Sequence, residues 1–247
     1  MTNNLSVLIN ADAPQVWTML REPSKVAQWH GWQAENLDAE IREIYFSGDV
    51  EESADHTSLT VHGGDTFELH PAPGGTRVSV TRGALDHNSE WAAWDEDITQ
   101  GWLMFLQQLR FALERHPHGK RHTLTLQLPG GDSGSGSGAG AIQKLGLTDL
   151  PAPGEDYRLT LGTGEEISGK VWFRTGHQVG LTVHDYAGHG EGLLIVADHP
   201  EIKDVQPDNG SIVVASTYDL GAARLDSIRS SWDSWRAENY PSSGPVS

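Results

Sequence analysis

The chain has 247 residues, 37% of them hydrophobic, with 17 lysines and arginines against 34 aspartates and glutamates, a formal net charge of −17. Such a surface repels phosphate backbones and acidic lipid headgroups, which argues against nucleic-acid and membrane partners. There is no cysteine, which removes disulfides, thiol nucleophiles and cysteine-based zinc or iron–sulfur sites and fits a reducing, cytoplasmic setting. No apolar run approaches the ~20 residues of a membrane span, and MTNNLSVLINADAP lacks the pattern of a secretory signal.

In chain order, LSVLIN (5–10) reads as a strand. A helix follows, with Asp12 as N-cap, Pro14 in its first turn, and Val16, Trp17 and Leu20 on its buried side. REPSKVAQW predicts a second short helix closing near His30-Gly31. Strand-like pieces come next at Ala39–Tyr45, Ser58–His62, Thr66–His70 and Arg77–Thr81, separated by glycine turns. A long helix is expected from about Ser89 to Arg115, stopping before Pro117. RHTLTLQL (121–128) is a further strand, and the Gly/Ser-rich stretch 129–141 is a flexible insert. It contains no GxxxxGK[ST] motif, so phosphate binding has little support. Strands are then expected at YRLTL, GKVWFRT, QVGLTVH, GLLIVAD and SIVVAST. The chain closes with a helix from Ala222 to Asn239 that aligns Leu225, Ile228, Trp232 and Trp235.

The long helix is unusually greasy. Trp102, Phe105, Leu106, Leu109, Ala112 and Leu113 form one broad stripe, while Met104 and Phe111 lie nearly opposite it. An internal echo suggests why. GGTRVSVTRGALD (74–86) and NGSIVVASTYDLG (209–221) each run glycine turn, strand, leucine and then an amphipathic helix that ends near a proline. A strand also opens each half. The expectation is two tandem units, 1–118 and 119–247, the second degenerate and lacking the paired helices after its first strand. Met104 and Phe111 would then face the neighbouring unit.

VLINADAPQVWTMLREPSKVAQWHGW, the glycine-punctuated strands, GGTRVSVTRGALD and GWLMFLQQLRFALE together resemble the SRPBCC (START-like, helix-grip) superfamily. The nearest branch is the one named after the activator of Hsp90 ATPase. The resemblance covers roughly residues 5–116. It implies an α+β helix-grip fold, a curved antiparallel sheet around a long C-terminal helix, with room between them. It does not imply one reaction, because members carry lipids, bind hormones, cyclise polyketides or assist chaperones. The true activators carry a separate domain ahead of this one, and this sequence starts at the first strand.

Candidate chemistry follows from the aromatic positions. A small apolar or amphipathic molecule between sheet and helix would touch Trp32, Trp94, Trp102 and Phe105. Asp95 falls on the helix stripe extended backward through Trp91, Trp94 and Ile98, where desolvation would raise its pKa and suit it to acid–base work. His30, in WHGW, is a second proton-transfer candidate. The plainer interpretation makes Asp95 solvent-exposed and His30 a hydrogen-bonding residue at a helix end. HDYAGHGE (184–191) groups His184, His189 and Glu191, which are zinc-competent ligand types, but the spacing matches no known motif and fits a polar hairpin turn. Without a GxSxG motif, serine hydrolase chemistry lacks support. The favoured reading is a cytoplasmic ligand-binding protein without cofactor or metal. Its rivals are a cyclase- or dehydratase-type enzyme using Asp95 or His30, and a chaperone-related protein-interaction module.

Overall fold

The computed structural model describes residues 5–83, 89–130, 139–199 and 210–241, with residues 89–98 described through their backbone alone. The chain forms two compact units, Met1–Lys120 and Arg121–Ser247.

Unit 1 opens with β1 (Leu5–Ile9), α1 (Ala13–Arg21) and α2 (Pro23–Val26). The start of α1 is fixed by a capping box: the Asp12 carboxylate accepts the Gln15 N–H at 2.9 Å, and the Gln15 side chain returns to the Asp12 N–H. Next come α3 (Leu37–Phe46), β2 (Glu51–Glu52), β3 (Ser58–Thr60), β4 (Thr66–Ala72), β5 (Gly75–Thr81) and α4 (Ser89–Arg115). The strands pair antiparallel in the order β1-β5-β4-β3-β2. α4 lies along β1, and its Trp102, Leu106, Leu109 and Ala112 enter the core formed by Val7, Phe67, Leu69, Val78 and Val80. Met104 and Phe111 are also buried.

One expected strand is a helix. Residues 39–45 lie inside α3. Alternation holds only locally there: Ile41 and Tyr45, four residues apart, are buried, Leu37 and Ile44 are half-buried, and Arg42 and Glu43 are exposed. That is the spacing of one helical face.

Unit 2 comprises β6 (Arg121–Leu128), the short α5 (Ala141–Lys144), β7 (Asp156–Thr160), β8 (Glu166–Arg174), β9 (Gln178–Val183), a 3-10 turn (His184–Tyr186), β10 (Gly192–Asp198), β11 (Ser211–Tyr218) and α6 (Ala222–Asn239). Its sheet order is β6-β11-β10-β9-β8-β7. Ile228, Trp232 and Trp235 of α6 join Leu126, Leu181, Leu194, Val196 and Val213 in one core.

The two units share a topology: the first strand pairs with the last, and the remaining strands step backward from there. The agreement extends to register. Across unit 1, Leu5, Val80, Phe67 and Leu59 form one row of partners; across unit 2 the row is Leu124, Ala215, Leu194 and Leu181. The next row is Val7, Val78 and Leu69 in one unit and Leu126, Val213 and Val196 in the other. This register aligns Val78 and Val80 with Val213 and Ala215, as the echoed sequences do. A second echo accompanies it. β3 runs out through LTVH (59–62) and β9 through LTVH (181–184), at the same step of the two sheets. Each unit is therefore an α+β helix-grip body, an antiparallel sheet held against its C-terminal helix.

Candidate functional site

The polar centre of unit 1 is built on WHGW. α2 runs into a further turn, with the Trp29 and His30 N–H groups bonded to the Val26 carbonyl at 3.0 and 2.8 Å. Gly31, at φ +55°, then redirects the chain, a left-handed conformation that suits glycine. This turn drives both ring side chains inward. Trp29 is fully buried and donates its indole N–H to the Met19 carbonyl at 2.8 Å. His30 retains 2% exposure, a low value for a titratable ring.

The His30 imidazole is held at both nitrogens. Nε2 lies 3.2 Å from Glu40 Oε1, and Nδ1 lies 2.9 Å from the Tyr45 hydroxyl. With the Nε2 proton donated to the carboxylate, Nδ1 is the acceptor for the phenol. Tyr45 is fully buried; that burial, and then the charges of Glu40 and Asp65, push its phenol well above the ordinary value. Glu40 keeps its side chain 42% exposed. The hydrogen bond from His30 holds its carboxyl below the usual range, against a smaller opposing effect of burial. The result is a buried phenol connected through an imidazole to a carboxylate that meets solvent, an arrangement suited to passing or poising a proton.

Around this hydrogen-bonded chain are apolar rings. The Phe105 ring is 4.7 Å from that of His30, and the Trp102 ring is 6.3 Å away. Trp102 packs edge-on to Phe67 at 5.1 Å and to Phe105 at 5.9 Å. The Trp102 indole N–H donates to Asp65 Oδ2, while Asp65 Oδ1 accepts from Arg82 Nε at 2.9 Å and from the Gly83 N–H at 2.8 Å. Asp65 thus fixes the long helix to the β3–β4 turn.

Of the residues singled out from sequence, the structure brings His30, Trp102 and Phe105 together. Trp32 is half-buried nearby in sequence. The backbone of Trp94 and Asp95 belongs to α4, but their side chains lie outside the described residues. In unit 2, His184 Nε2 meets Glu191 Oε1 at 3.0 Å; Glu191 also accepts from Thr182 Oγ1 at 3.0 Å. His189 is exposed, and among the described residues no three metal-ligating side chains are grouped. Tyr45, Glu40 and Asp65 carry no visible signal in the sequence. Reading α3 as a strand hides the first two, because residues five apart on a strand point to opposite faces, whereas on a helix both reach one ring.

No family model matches the chain, and no curated protein matches it. Among solved structures, the di-domain ARO/CYC BexL from the BE-7585A biosynthetic pathway aligns at 10% identity over 99% of this chain and 100% of its own, with a TM-score of 0.36. DynU16, a putative protein of the dynemicin biosynthetic locus, aligns at 13% identity over 96% of this chain and 95% of its own, with a TM-score of 0.32. Protein SSP2350 from Staphylococcus saprophyticus aligns at 16% identity over 47% of this chain and 92% of its own, with a TM-score of 0.37. At TM-scores this low the likenesses carry no argument about what the chain does.

Proposed function

We propose that unit 1 binds a small apolar or amphipathic molecule between its sheet and α4, against Trp32, Trp102 and Phe105. The observation that carries this reading is the buried His30–Tyr45 pair set among aromatic rings. Apolar walls with a few convergent polar groups are the usual make-up of a small-molecule site. The working location is the cytoplasm. Native mass spectrometry of the protein purified under non-denaturing conditions tests the reading. A co-purifying mass that disappears in Phe105→Arg supports it, and repeated preparations free of any adduct, together with no uptake of added apolar probes, oppose it.

A second reading is acid–base catalysis of the cyclase or dehydratase kind. The relay from Glu40 through His30 to Tyr45 favours it. In this version the Tyr45 oxygen takes a proton from the bound molecule as its own passes to His30 Nδ1, Glu40 balances the positive ring, and the reverse transfers return a proton to the product. His30→Gln would then abolish turnover while leaving ligand uptake in place. The branch-level likeness to the activator of Hsp90 ATPase offers a third role, a protein partner for the acidic surface. No described residue favours it over the first two.

A further inference from the structure

The two LTVH segments lead into different connections. In unit 1 three residues, Gly63-Gly64-Asp65, join them to β4; in unit 2 seven residues, DYAGHGE (185–191), join them to β10. The longer connection does not simply loop outward. Its 3-10 turn places Tyr186 in the core of unit 2, with no exposed surface. There the Tyr186 hydroxyl donates to Glu165 Oε2 at 2.9 Å and accepts the indole N–H of Trp232 from α6 at 3.1 Å. Glu165 is also paired with Arg224 at the start of α6. Burial, followed by the charge of Glu165, keeps the phenol well above its ordinary pKa, so it stays neutral.

The sheet row matched between the units carries smaller side chains in the core that Tyr186 joins. Where unit 1 places Phe67 and Val80, unit 2 places the smaller Leu194 and Ala215. The backbone of the insert is tied down as well: the Gly188 N–H donates to the Tyr218 carbonyl at 2.8 Å, and Gly192 packs so tightly that a Cβ there would lie 2.4 Å from Tyr186 Cβ.

We infer that Tyr186 is a built-in plug: the longer β9–β10 connection fills, in unit 2, the sheet–helix interior that in unit 1 takes the guest, so that of these two interiors, among the described residues, only that of unit 1 is left for an apolar molecule. For unit 1 this rests on the ligand-binding reading above; for unit 2 it stands on the geometry of Tyr186 alone. The mechanism is occupancy. A phenol ring with both hydroxyl partners satisfied on the terminal helix and an edge turn leaves an apolar guest nothing to gain by displacing it.

Equilibrium dialysis of the full-length protein against N-phenyl-1-naphthylamine, a neutral apolar probe, counts bound molecules per chain. Wild type is expected to bind one, and Tyr186→Ala two. Tyr186→Phe, which keeps the ring, should match wild type. Tyr218→Ala is the control for non-specific cavity creation: Tyr218 is 2% exposed but lies outside the core cluster of unit 2, and this variant should gain nothing. A folded Tyr186→Ala with the wild-type count overturns the plug, as does an equal gain in Tyr218→Ala or a wild-type count of two. A wild-type count of zero with a gain of one in Tyr186→Ala upholds the plug and defeats the ligand reading for unit 1. If Tyr186→Ala does not fold, Tyr186→Leu removes the outer half of the ring and is expected to raise probe uptake at least twofold over Tyr186→Phe; equal uptake overturns the proposal.

Discussion

At the scale of single residues, Trp102 and the hydrogen bonds of His30 with Glu40 and Tyr45 determine the character of unit 1. Trp102 is 6% exposed, touches Phe67 and Phe105, and carries the indole N–H bond to Asp65. Trp102→Ala is therefore expected to cost about 3–5 kcal/mol, as for other large-to-alanine core changes. Chemical denaturation measures it, and an unchanged midpoint would mean the stripe is not packed. Tyr45→Phe keeps the ring but leaves His30 Nδ1 buried without that donor, at a cost of about 1–3 kcal/mol by the same measurement. Glu40 gives a pH signature. Its folded pKa is depressed below the ordinary 4.5, so its contribution is fully present above that value and is lost as the pH falls through the folded value. Melting temperatures of wild type and Glu40→Gln should differ above pH 4.5 and converge as acid is added. A difference that stays constant through this range would show that the carboxylate bond to His30 contributes nothing.

At the scale of elements, the sequence is most readable where a single period runs long and most misleading where it runs short. β6, β10, β11 and α6 follow directly from their hydrophobic patterns and their flanking glycines and prolines. α3 does not, since the four-residue spacing of Ile41 and Tyr45 is common to a strand face and a helix face, and the capping interaction that would decide it is missing: Asn36 makes no side-chain cap. Without α3, Glu40 and Tyr45 drop out of the candidate site, and nothing in the sequence links them to His30. Close backbone approaches are equally hidden. A Cβ on Gly75, whose φ is +139°, would lie 2.0 Å from the Ile9 carbonyl oxygen, and one on Gly180 would lie 2.2 Å from the Phe173 ring. Gly180→Val is thus expected to displace Phe173 from β9 and destabilise unit 2 by at least about 1–3 kcal/mol, the usual cost of overpacking. A melting temperature equal to wild type would show that the ring moves aside freely.

At the scale of the whole molecule, one echo is legible in the sequence, and the shared strand order and register of the two units agree with it. Neither the order of elements nor the repeated glycine turns can reveal that Phe67 and Leu194 occupy matching places, because strand pairing is a long-range property. The charge imbalance acts at this scale too. With 34 acidic side chains against 17 basic ones, self-repulsion opposes the folded state and is screened by added salt. Raising sodium chloride from about 10 mM to about 200 mM, which shortens the screening length from roughly 30 Å to below 10 Å, should raise the melting temperature. A fall would mean that ion pairs such as Arg82–Asp65 and Arg224–Glu165 outweigh the general repulsion.

Glu40 sits on the outward side of a short helix, yet its oxygen ends a chain of contacts leading to a phenol that never meets water. A half-exposed carboxylate thus acts on the interior: its charge is one of those that, after burial, hold the Tyr45 phenol above its ordinary value, and a neutral side chain at position 40 would remove that contribution.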